Sequence, residues 1–445
     1  MILPSSVRRR SRRMDTLTAL LAAGLVALGL AACAGGEAET TGEDLSADTT
    51  AAPAPIPDEL PNGLLVSLAE LGKNDDGSPK PLPARLGIIR RQGGEWVYTS
   101  LEDPDSNVFH KAMELDPTIG DPGILTLGGT GAHVKLWRPD GSSETLWTKD
   151  FGGRFSRMRD AEVGDVDGDG RLDVVIATHD QGVVAVIYQQ EDASWRVEEI
   201  DADAKTGFVH EVELGDLDGD GTLEVYATPS EPNRADGTAQ HGEVVRYVPA
   251  KDEGRTVVAD LGDRHAKEIL VEDVDGDGTD ELYVAVEAVS GGQVEIRRYD
   301  AGTDPSAGTV IATLDDTQNR FLTAGDVDGD GKKEMVAAAY KSGLFLLRPG
   351  ASGEDWEVTL IDADSGGWEH ASVLADLDGD GTDELYVASD DHDEIRRYTY
   401  HPSPGEDGEW RHELLVLHLD GLGRFTWNLM PARTSVMPRA NAGGE

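Results

Sequence analysis

Five copies of one short acidic motif recur along the chain at intervals of 50 to 57 residues. The first copy, residues 165–173, reads Asp-x-Asp-Gly-Asp-Gly-x-x-Asp, and the other four end in glutamate instead of aspartate. Like charges held this closely repel one another unless a cation or solvent offsets them. A near-constant period of this length indicates a repeat protein in which every unit has the same fold.

Each repeat carries the signals of four short β-strands. Alternating or β-branched runs precede and follow the acidic motif, as in residues 208–214 and 225–228 around the second copy. Two further runs complete the repeat, for example residues 243–248 and 256–261. Four short strands per repeat are typical of a β-propeller blade.

The two ends of the chain supply the remaining blades. Residues 108–127 predict a blade whose acidic motif has been lost, while residues 64–101 hold three strands without a first one. Residues 425–431 look like a first strand with no blade after it. Joining these ends predicts an all-β, seven-bladed β-propeller of four-stranded blades over residues 62–438, closed by strands from both termini so that no sheet edge stays open. A different assignment of the first segment would change the count to six or eight.

The spacing within the acidic motif suits calcium. Side-chain oxygens at positions 1, 3 and 5, a backbone carbonyl at position 7 and a carboxylate at position 9 can surround one ion with six or seven oxygens. The absence of His and Cys argues against zinc, and an EF-hand would need its last acid at position 12 between two helices. The motifs therefore predict about five calcium-binding loops, the alternative being solvated acidic turns. The predicted ligand residues are Asp165, Asp167, Asp169, Arg171 and Asp173; Asp216, Asp218, Asp220, Thr222 and Glu224; Asp273, Asp275, Asp277, Thr279 and Glu281; Asp326, Asp328, Asp330, Lys332 and Glu334; and Asp376, Asp378, Asp380, Thr382 and Glu384.

The pattern D-x-D-G-D-G-x-x-[DE] on a propeller loop resembles the FG-GAP or VCBS repeat family of integrin alpha-subunit propellers and many secreted bacterial proteins. The resemblance covers residues 107–417 clearly and the closing blade weakly. The Phe-Gly and Gly-Ala-Pro words that name the family are largely missing, with Phe151-Gly152-Gly153 the nearest remnant, so the similarity is closer to VCBS-type bacterial members. It implies a calcium-stabilised propeller used for adhesion, ligand binding or sugar chemistry, and does not choose among these.

The N-terminal segment has the layout of an export signal. Five arginines within residues 8–13 precede an apolar run over residues 17–32 that stops at Cys33, the only cysteine of the chain. The junction Leu30-Ala31-Ala32-Cys33 resembles a bacterial lipobox, in which the cysteine is acylated and becomes the first mature residue. We therefore expect a lipoprotein signal peptide (1–32), a flexible acidic tether (33–61), and a disordered tail (439–445). The alternative is an ordinary signal peptide that happens to contain a cysteine.

Charge limits the partners. With 85 acidic and 39 basic side chains the chain carries a formal charge of −46, which repels nucleic acid and anionic membrane surfaces. We expect calcium as a partner, membrane association through the N-terminal lipid only, and export to the bacterial cell envelope, at the outer membrane or cell surface.

A basic residue stands six positions before the first aspartate of each motif or motif remnant. The six residues are His110, Arg159, His210, Lys267, Arg320 and His370. If they line the channel on the innermost strands, they form a cationic ring suited to an anion such as a carboxylated or sulfated sugar. Alternatively, they form salt bridges with neighbouring acids, among them Asp160, Glu211, Glu268 and Glu369.

Two functions follow from these patterns. The first is a cell-surface recognition, adhesion or scaffold module with a protein or anionic carbohydrate as ligand. The second is a polysaccharide lyase or sugar dehydratase, with His210 as base and Arg159 or Arg320 neutralising a substrate carboxylate. The chain has no nucleophile motif, zinc pattern or phosphate loop, which favours a binding module over an enzyme.

Overall fold

The computed structural model describes residues 60–152, 156–202, 207–231, 238–289, 291–350, 355–403 and 406–439. The predicted signal peptide, residues 33–59 of the predicted tether and residues 440–445 of the predicted tail lie outside these ranges. Within them, no helix has the length and hydrophobicity needed to cross a bilayer. The described strands belong to one compact unit.

The described strands form seven antiparallel sheets arranged as propeller blades. Six blades are consecutive four-stranded meanders, in which strand one is innermost. They are blade 2 (β5 Val108–Leu115, β6 Gly123–Gly129, β7 His133–Trp137, β8 Ser143–Thr148), blade 3 (β9 Met158–Gly164, β10 Asp173–Thr178, β11 Val184–Gln189, β12 Trp195–Asp201), blade 4 (β13 Phe208–Gly215, β14 Glu224–Ser230, β15 Glu243–Val248, β16 Glu253–Asp260), blade 5 (β17 Ala266–Glu272, β18 Glu281–Val286, β19 Val294–Tyr299, β20 Thr309–Leu314), blade 6 (β21 Asn319–Gly325, β22 Glu334–Ala339, β23 Leu344–Pro349, β24 Trp356–Asp362) and blade 7 (β25 Ser372–Ala375, β26 Glu384–Ser389, β27 Glu394–Ser403, β28 Glu406–Leu417). Short 3-10 helices follow β15 at Pro249–Lys251 and β26 at Asp390–His392.

Blade 1 is built from both ends of the propeller. Its strands are β1 Gly63–Lys73, β2 Pro79–Pro81, β3 Ala84–Gln92, β4 Glu95–Asp103 and β29 Gly423–Ala432. β29 takes the innermost place and pairs antiparallel with β1, from Gly63 opposite Ala432 to Leu71 opposite Gly423. The prediction of seven blades closed from both termini is therefore confirmed. The short exposed strand β2, which pairs with the C-terminal end of β1, was not predicted.

Burial explains the strand composition. In blades 2 to 7 the second strand is buried along its whole length, because neighbouring blades cover both of its faces and strands one and three cover its edges. Fourth strands such as β12 and β24 contain only exposed and partly buried residues, as expected at the rim. Each innermost strand packs against those of the adjacent blades, and β29 closes the ring between β25 and β5.

This topology separates the two groups of candidate site residues. The five acidic motifs connect strand one to strand two in blades 3 to 7, so they follow the carboxyl ends of the innermost strands. The basic residues of the predicted ring lie at or before the amino ends of the same strands. The two groups therefore lie towards opposite faces of the propeller.

Candidate metal centres

The aspartate at position 1 organises each acidic loop. In blade 3, Asp165 Oδ1 accepts hydrogen bonds from the amides of Gly168 (2.9 Å) and Asp169 (3.0 Å), and Oδ2 accepts one from Gly170 (2.8 Å). The same three bonds recur at Asp273, Asp326 and Asp376. Gly168 and Gly170 have φ values of 76° and 86°, a conformation that glycine adopts without strain. The shared shape of these turns follows from these local hydrogen bonds.

Carboxylate oxygens converge in every loop. In each loop three or four acidic side chains offer one oxygen apiece, and these oxygens lie within 4.8 Å of one another. The converging sets are Asp165, Asp167 and Asp173; Asp216, Asp218 and Asp220; Asp273, Asp275, Asp277 and Glu281; Asp326, Asp328 and Glu334; and Asp376, Asp378 and Glu384. Positions 1 and 3 are thus present in all five, as the spacing predicted.

Position 5 follows the simple ligand pattern in only two of the five loops. Asp169, Asp330 and Asp380 are not in the converging sets, and neither is Glu224 at position 9 of blade 4. The position-5 carboxylate instead accepts a hydrogen bond from the position-7 amide, for example from Arg171 to Asp169 at 2.9 Å. The position-7 residues Thr222, Thr279, Lys332 and Thr382 donate in the same way.

The acid at position 9 is buried. Burial is the main cause that raises the pKa of Glu281, Glu334 and Glu384 to about 7, and nearby aspartates add to the shift. Asp173 in blade 3 also has its pKa raised to about 7 by burial. Removing a carboxylate from water disfavours its charged form unless an opposite charge or hydrogen bonds compensate. A cation placed beside these buried carboxylates would therefore interact with them more strongly than with carboxylates exposed to water.

A profile of the family described as FG-GAP-like repeat matches residues 165–227, 273–337 and 326–387, which include all five acidic loops. These segments carry FG-GAP-like repeats. No curated protein sequence matches the chain. Among solved structures, the periplasmic gluconolactonase of Pseudomonas aeruginosa is similar with a TM-score of 0.42 and 16% identity, over 81% of this chain and 99% of that chain.

Sequence reasoning missed one component of the FG-GAP-like repeats. In blades 4 to 7 an arginine on the third strand reaches the carboxylates at positions 3 and 9 of its own loop. The four arginines are Arg246, Arg298, Arg348 and Arg397. The available signal was an Arg-Tyr pair that recurs at residues 246–247, 298–299 and 397–398. The role of this arginine could not be predicted from the sequence, because its contact with the loop joins residues of different strands.

A tyrosine two residues after position 9 completes the site in three of the FG-GAP-like repeats. The hydroxyl groups of Tyr283 and Tyr386 donate to Oε2 of Glu281 (2.8 Å) and Glu384 (2.9 Å), and Tyr226 donates to Glu224. One oxygen of each of these glutamates is thus bound by a hydroxyl and the other faces the arginine.

At the opposite face, five of the six predicted ring residues come close together. Their innermost strands bring His110, Arg159, His210, Lys267 and Arg320 side by side, and all five are at least nine-tenths buried. His110 and Arg159 both contact the ring of Trp427 on β29, with centroid distances of 4.6 Å and 5.1 Å. His370 departs from the pattern because it precedes β25, has φ of 53°, and bonds to Ala339 O and Ser365 instead.

Two buried glutamates neutralise much of this cluster. Glu369 contacts Arg159 (3.4 Å) and Arg320, while Glu287 contacts Lys267 (3.3 Å) and Arg320 (3.7 Å). Burial alone would raise the pKa of Glu369, but Arg320 and Arg159 outweigh it and hold that pKa below its ordinary value. Glu369 was among the acids expected as salt-bridge partners, and Glu287 was not.

The other expected acids, Asp160, Glu211 and Glu268, form no ion pair with the ring residues in the part of the chain described, and Glu268 accepts the backbone amide of Leu322 at 2.9 Å. Asp160 forms an ion pair with Lys111 (2.9 Å), which also contacts Glu162 (2.5 Å). Burial, followed by neighbouring carboxylates, raises the pKa of Glu211 well above its usual range. Burial also lowers the pKa of His110 and His210 far below the ordinary imidazole value, so both rings are neutral near pH 7.

Proposed function

We propose that this protein is an exported, lipid-anchored, calcium-binding β-propeller that acts as a cell-surface recognition, adhesion or scaffold module. The observation that carries the proposal is the convergence of carboxylate oxygens in five equivalent loops on one face. One such cluster alone would carry little weight, since exposed acidic groups often need no ion. Five clusters with one shared geometry favour a common ligand.

The donor sets fit calcium. They contain oxygen only, which suits a hard cation that takes six to eight oxygen ligands. Two buried oxygens that would face such an ion, Asp328 Oδ1 and Asp378 Oδ1, have no hydrogen-bond partner among the described residues. Positions 1 and 3 would hold the ion in every loop, joined by position 9 in blades 3, 5, 6 and 7 and by position 5 in blades 4 and 5. Calcium, when bound, would neutralise the repulsion among these carboxylates.

Contacts between loops support a structural role for the metal face. The amide of Asp326 in blade 6 donates to Asp383 Oδ2 of the blade 7 loop at 2.8 Å, and Asp216 in blade 4 donates likewise to Asp280 of the blade 5 loop. Stabilising one loop therefore also stabilises its junction with the next blade. Such bracing leaves the outer surfaces of the blades available for a protein or carbohydrate partner.

The lyase or dehydratase alternative has less support. It requires a substrate to reach His210 and the arginines, whereas His210 is 2% exposed and Arg159 and Arg320 are bound to Glu369. A buried and already neutralised cluster serves packing better than substrate capture. We therefore propose the binding module.

Calcium uptake is the direct test of the metal sites. Titration calorimetry of the calcium-free full chain is expected to show about five ions bound, and each site adds about 2.7 kcal/mol of stability at a hundredfold excess over its Kd. Magnesium should have a smaller effect because it demands a tighter octahedral site. Asp273→Asn should remove one ion, whereas Asp192→Asn, at an exposed turn outside the loops, should not. No heat at millimolar calcium, with a melting temperature unchanged by chelator, would contradict the proposal.

Lipid anchoring has its own test. Cys33→Ser removes the only thiol that could be acylated. In bacteria expressing the wild-type chain, the protein should label with radioactive palmitate and sediment with membranes. The variant should lose the label and appear in the soluble or secreted fraction. A variant that still sediments with membranes would count against the lipid anchor without bearing on calcium.

A further inference from the structure

In blades 4 to 7 an arginine of the third strand contacts the acidic loop of the same blade. Arg298 contacts Asp275 at 2.5 Å and Glu281 at 3.1 Å, so its guanidinium joins positions 3 and 9 of the blade 5 loop. Arg397 contacts Asp378 and Glu384 in blade 7, and Arg246 contacts Asp218 (3.2 Å) and Glu224 in blade 4. All these arginines project from third strands, so the guanidinium enters from the blade and not from the loop.

Blade 6 has the loosest version of this contact. Arg348 lies 3.0 Å from Asp328 and 3.5 Å from Glu334, and its side chain is 29% exposed against 12% and 13% for Arg298 and Arg397. Its guanidinium also lies over the ring of Tyr400, at 4.9 Å. The charge is therefore held less tightly against the carboxylates in this blade.

Blade 3 lacks the arginine. Its third strand, Val184–Gln189, contains no basic residue. Asp167 and Asp173 form no ion pair with any basic side chain in the part of the chain described, and Asp173 accepts only the backbone amides of Gln189 (3.1 Å) and Val166 (3.3 Å). The one basic contact in this loop is from Arg171 to Asp169, at position 5 and outside the converging set. The carboxylates at positions 1, 3 and 9 thus face one another with no internal cation.

We propose that the third-strand arginines compete with calcium, so that the blade 3 loop is the high-affinity site and the loops of blades 4 to 7 are weaker. This inference rests on the proposed calcium binding and ranks the five sites. The guanidinium takes up oxygens at positions 3 and 9 that the ion would use, and its fixed charge repels a divalent cation across a few ångströms of partly buried protein. Ligand charge is one of the means by which such loops set their affinity.

The order of the weaker sites follows from the geometry. Blade 6, whose arginine is the most exposed of the four and lies farthest from the position-9 carboxylate, should bind calcium more tightly than blades 5 and 7. Blade 7 has a second basic neighbour, Arg91, whose guanidinium lies 4.0 Å from Asp378. It should therefore be among the last sites to fill.

Calorimetric titration of the calcium-free full chain with calcium chloride tests the ranking. The wild type should show one tight site and four weaker ones, and Asp167→Asn should abolish the tight class alone. Arg397→Gln should tighten one of the weak sites about tenfold, which is about 1.4 kcal/mol. The control is Arg411→Gln on β28 of the same blade, where the side chain is 64% exposed and forms an ion pair with Glu409, and it should leave the isotherm unchanged.

The outcomes separate this inference from the proposal beneath it. Calcium uptake with five equal sites, or a site weakened by Arg397→Gln, overturns the competition and leaves calcium binding intact. A weakened site would mean that the arginine positions the carboxylates for the ion. No uptake by the wild type overturns the proposed function itself. If Arg397→Gln fails to fold by circular dichroism, the more exposed Arg348→Gln carries the test, with the same direction expected and a smaller factor.

Discussion

Ending the chain at Leu422 is expected to unfold the propeller at physiological temperature. This truncation removes β29, the innermost strand of blade 1, together with the buried Leu429, Val436 and Met437. Burial of three such side chains contributes roughly 6 kcal/mol, which is comparable with the whole stability of a typical domain, about 5–15 kcal/mol. The cut also leaves β1 without its inner partner, and it removes the buried ion pair of Arg424 with Glu70 (2.7 Å). Thermal denaturation followed by circular dichroism and by protease resistance measures the loss.

A shorter truncation provides the control. Ending the chain at Arg439 keeps every described strand, and its melting temperature should equal that of the full chain. Adding a synthetic peptide of residues 423–439 to the longer truncation should restore protease resistance, because the open edge of β1 can still pair. A truncated protein that melts within a few degrees of the full chain would show that blade 1 does not depend on β29.

Glu369→Gln is expected to lower the free energy of unfolding by about 3–5 kcal/mol. Glu369 is 2% exposed and compensates both Arg159 and Arg320, with Lys267 nearby. The amide keeps the shape but not the charge, so Arg159 loses its ion-pair partner, and Arg320 and Lys267 keep only their contacts with Glu287. Removing one member of a buried ion pair costs far more than the pair itself contributes, because the remaining charge stays desolvated. Urea denaturation monitored by tryptophan fluorescence gives the value.

Two variants make this result specific. Glu409→Gln breaks an exposed ion pair with Arg411 and should cost less than about 1 kcal/mol. Combining Glu369→Gln with Arg320→Leu should recover part of the loss, since the second change removes one of the stranded charges. If Glu369→Gln alone is as stable as the wild type, the cluster is solvated, and its cations are free to bind an external anion. That outcome would revive the carbohydrate-binding interpretation of the ring.

The acidic loops show what local sequence can predict. The hydrogen bonds from residues 168–170 to Asp165 lie within six consecutive residues, and glycine at positions 4 and 6 supplies the required positive φ. Because these hydrogen bonds lie within the motif, its spacing alone was enough to predict that the side chains at positions 1 and 3 approach one another in all five blades. The pattern did not show that the position-5 carboxylate accepts a hydrogen bond from the position-7 amide in every loop.

Contacts between distant residues were beyond the reach of the pattern. The pairing of Arg397 with Asp378 and Glu384 depends on the register of two strand pairs, and the pairing of Arg159 with Glu369 joins residues 210 positions apart. The regular spacing of the six basic residues suggested equal roles. His370, however, has a left-handed backbone conformation, and its side chain contacts Ala339 and Ser365 instead. Spacing along the chain cannot show which acid a buried cation meets.

The repeat period, the strand alternation and the glycine positions predicted seven blades, their strand order and the turn geometry of the acidic loops, because these signals act over short stretches of chain. The folded structure was needed to show which cations lie inside those loops and which are buried in ion pairs at the other end of the innermost strands. Both depend on strand register and on the packing of one blade against the next, where a shift of a single residue turns a side chain to the opposite face of its sheet.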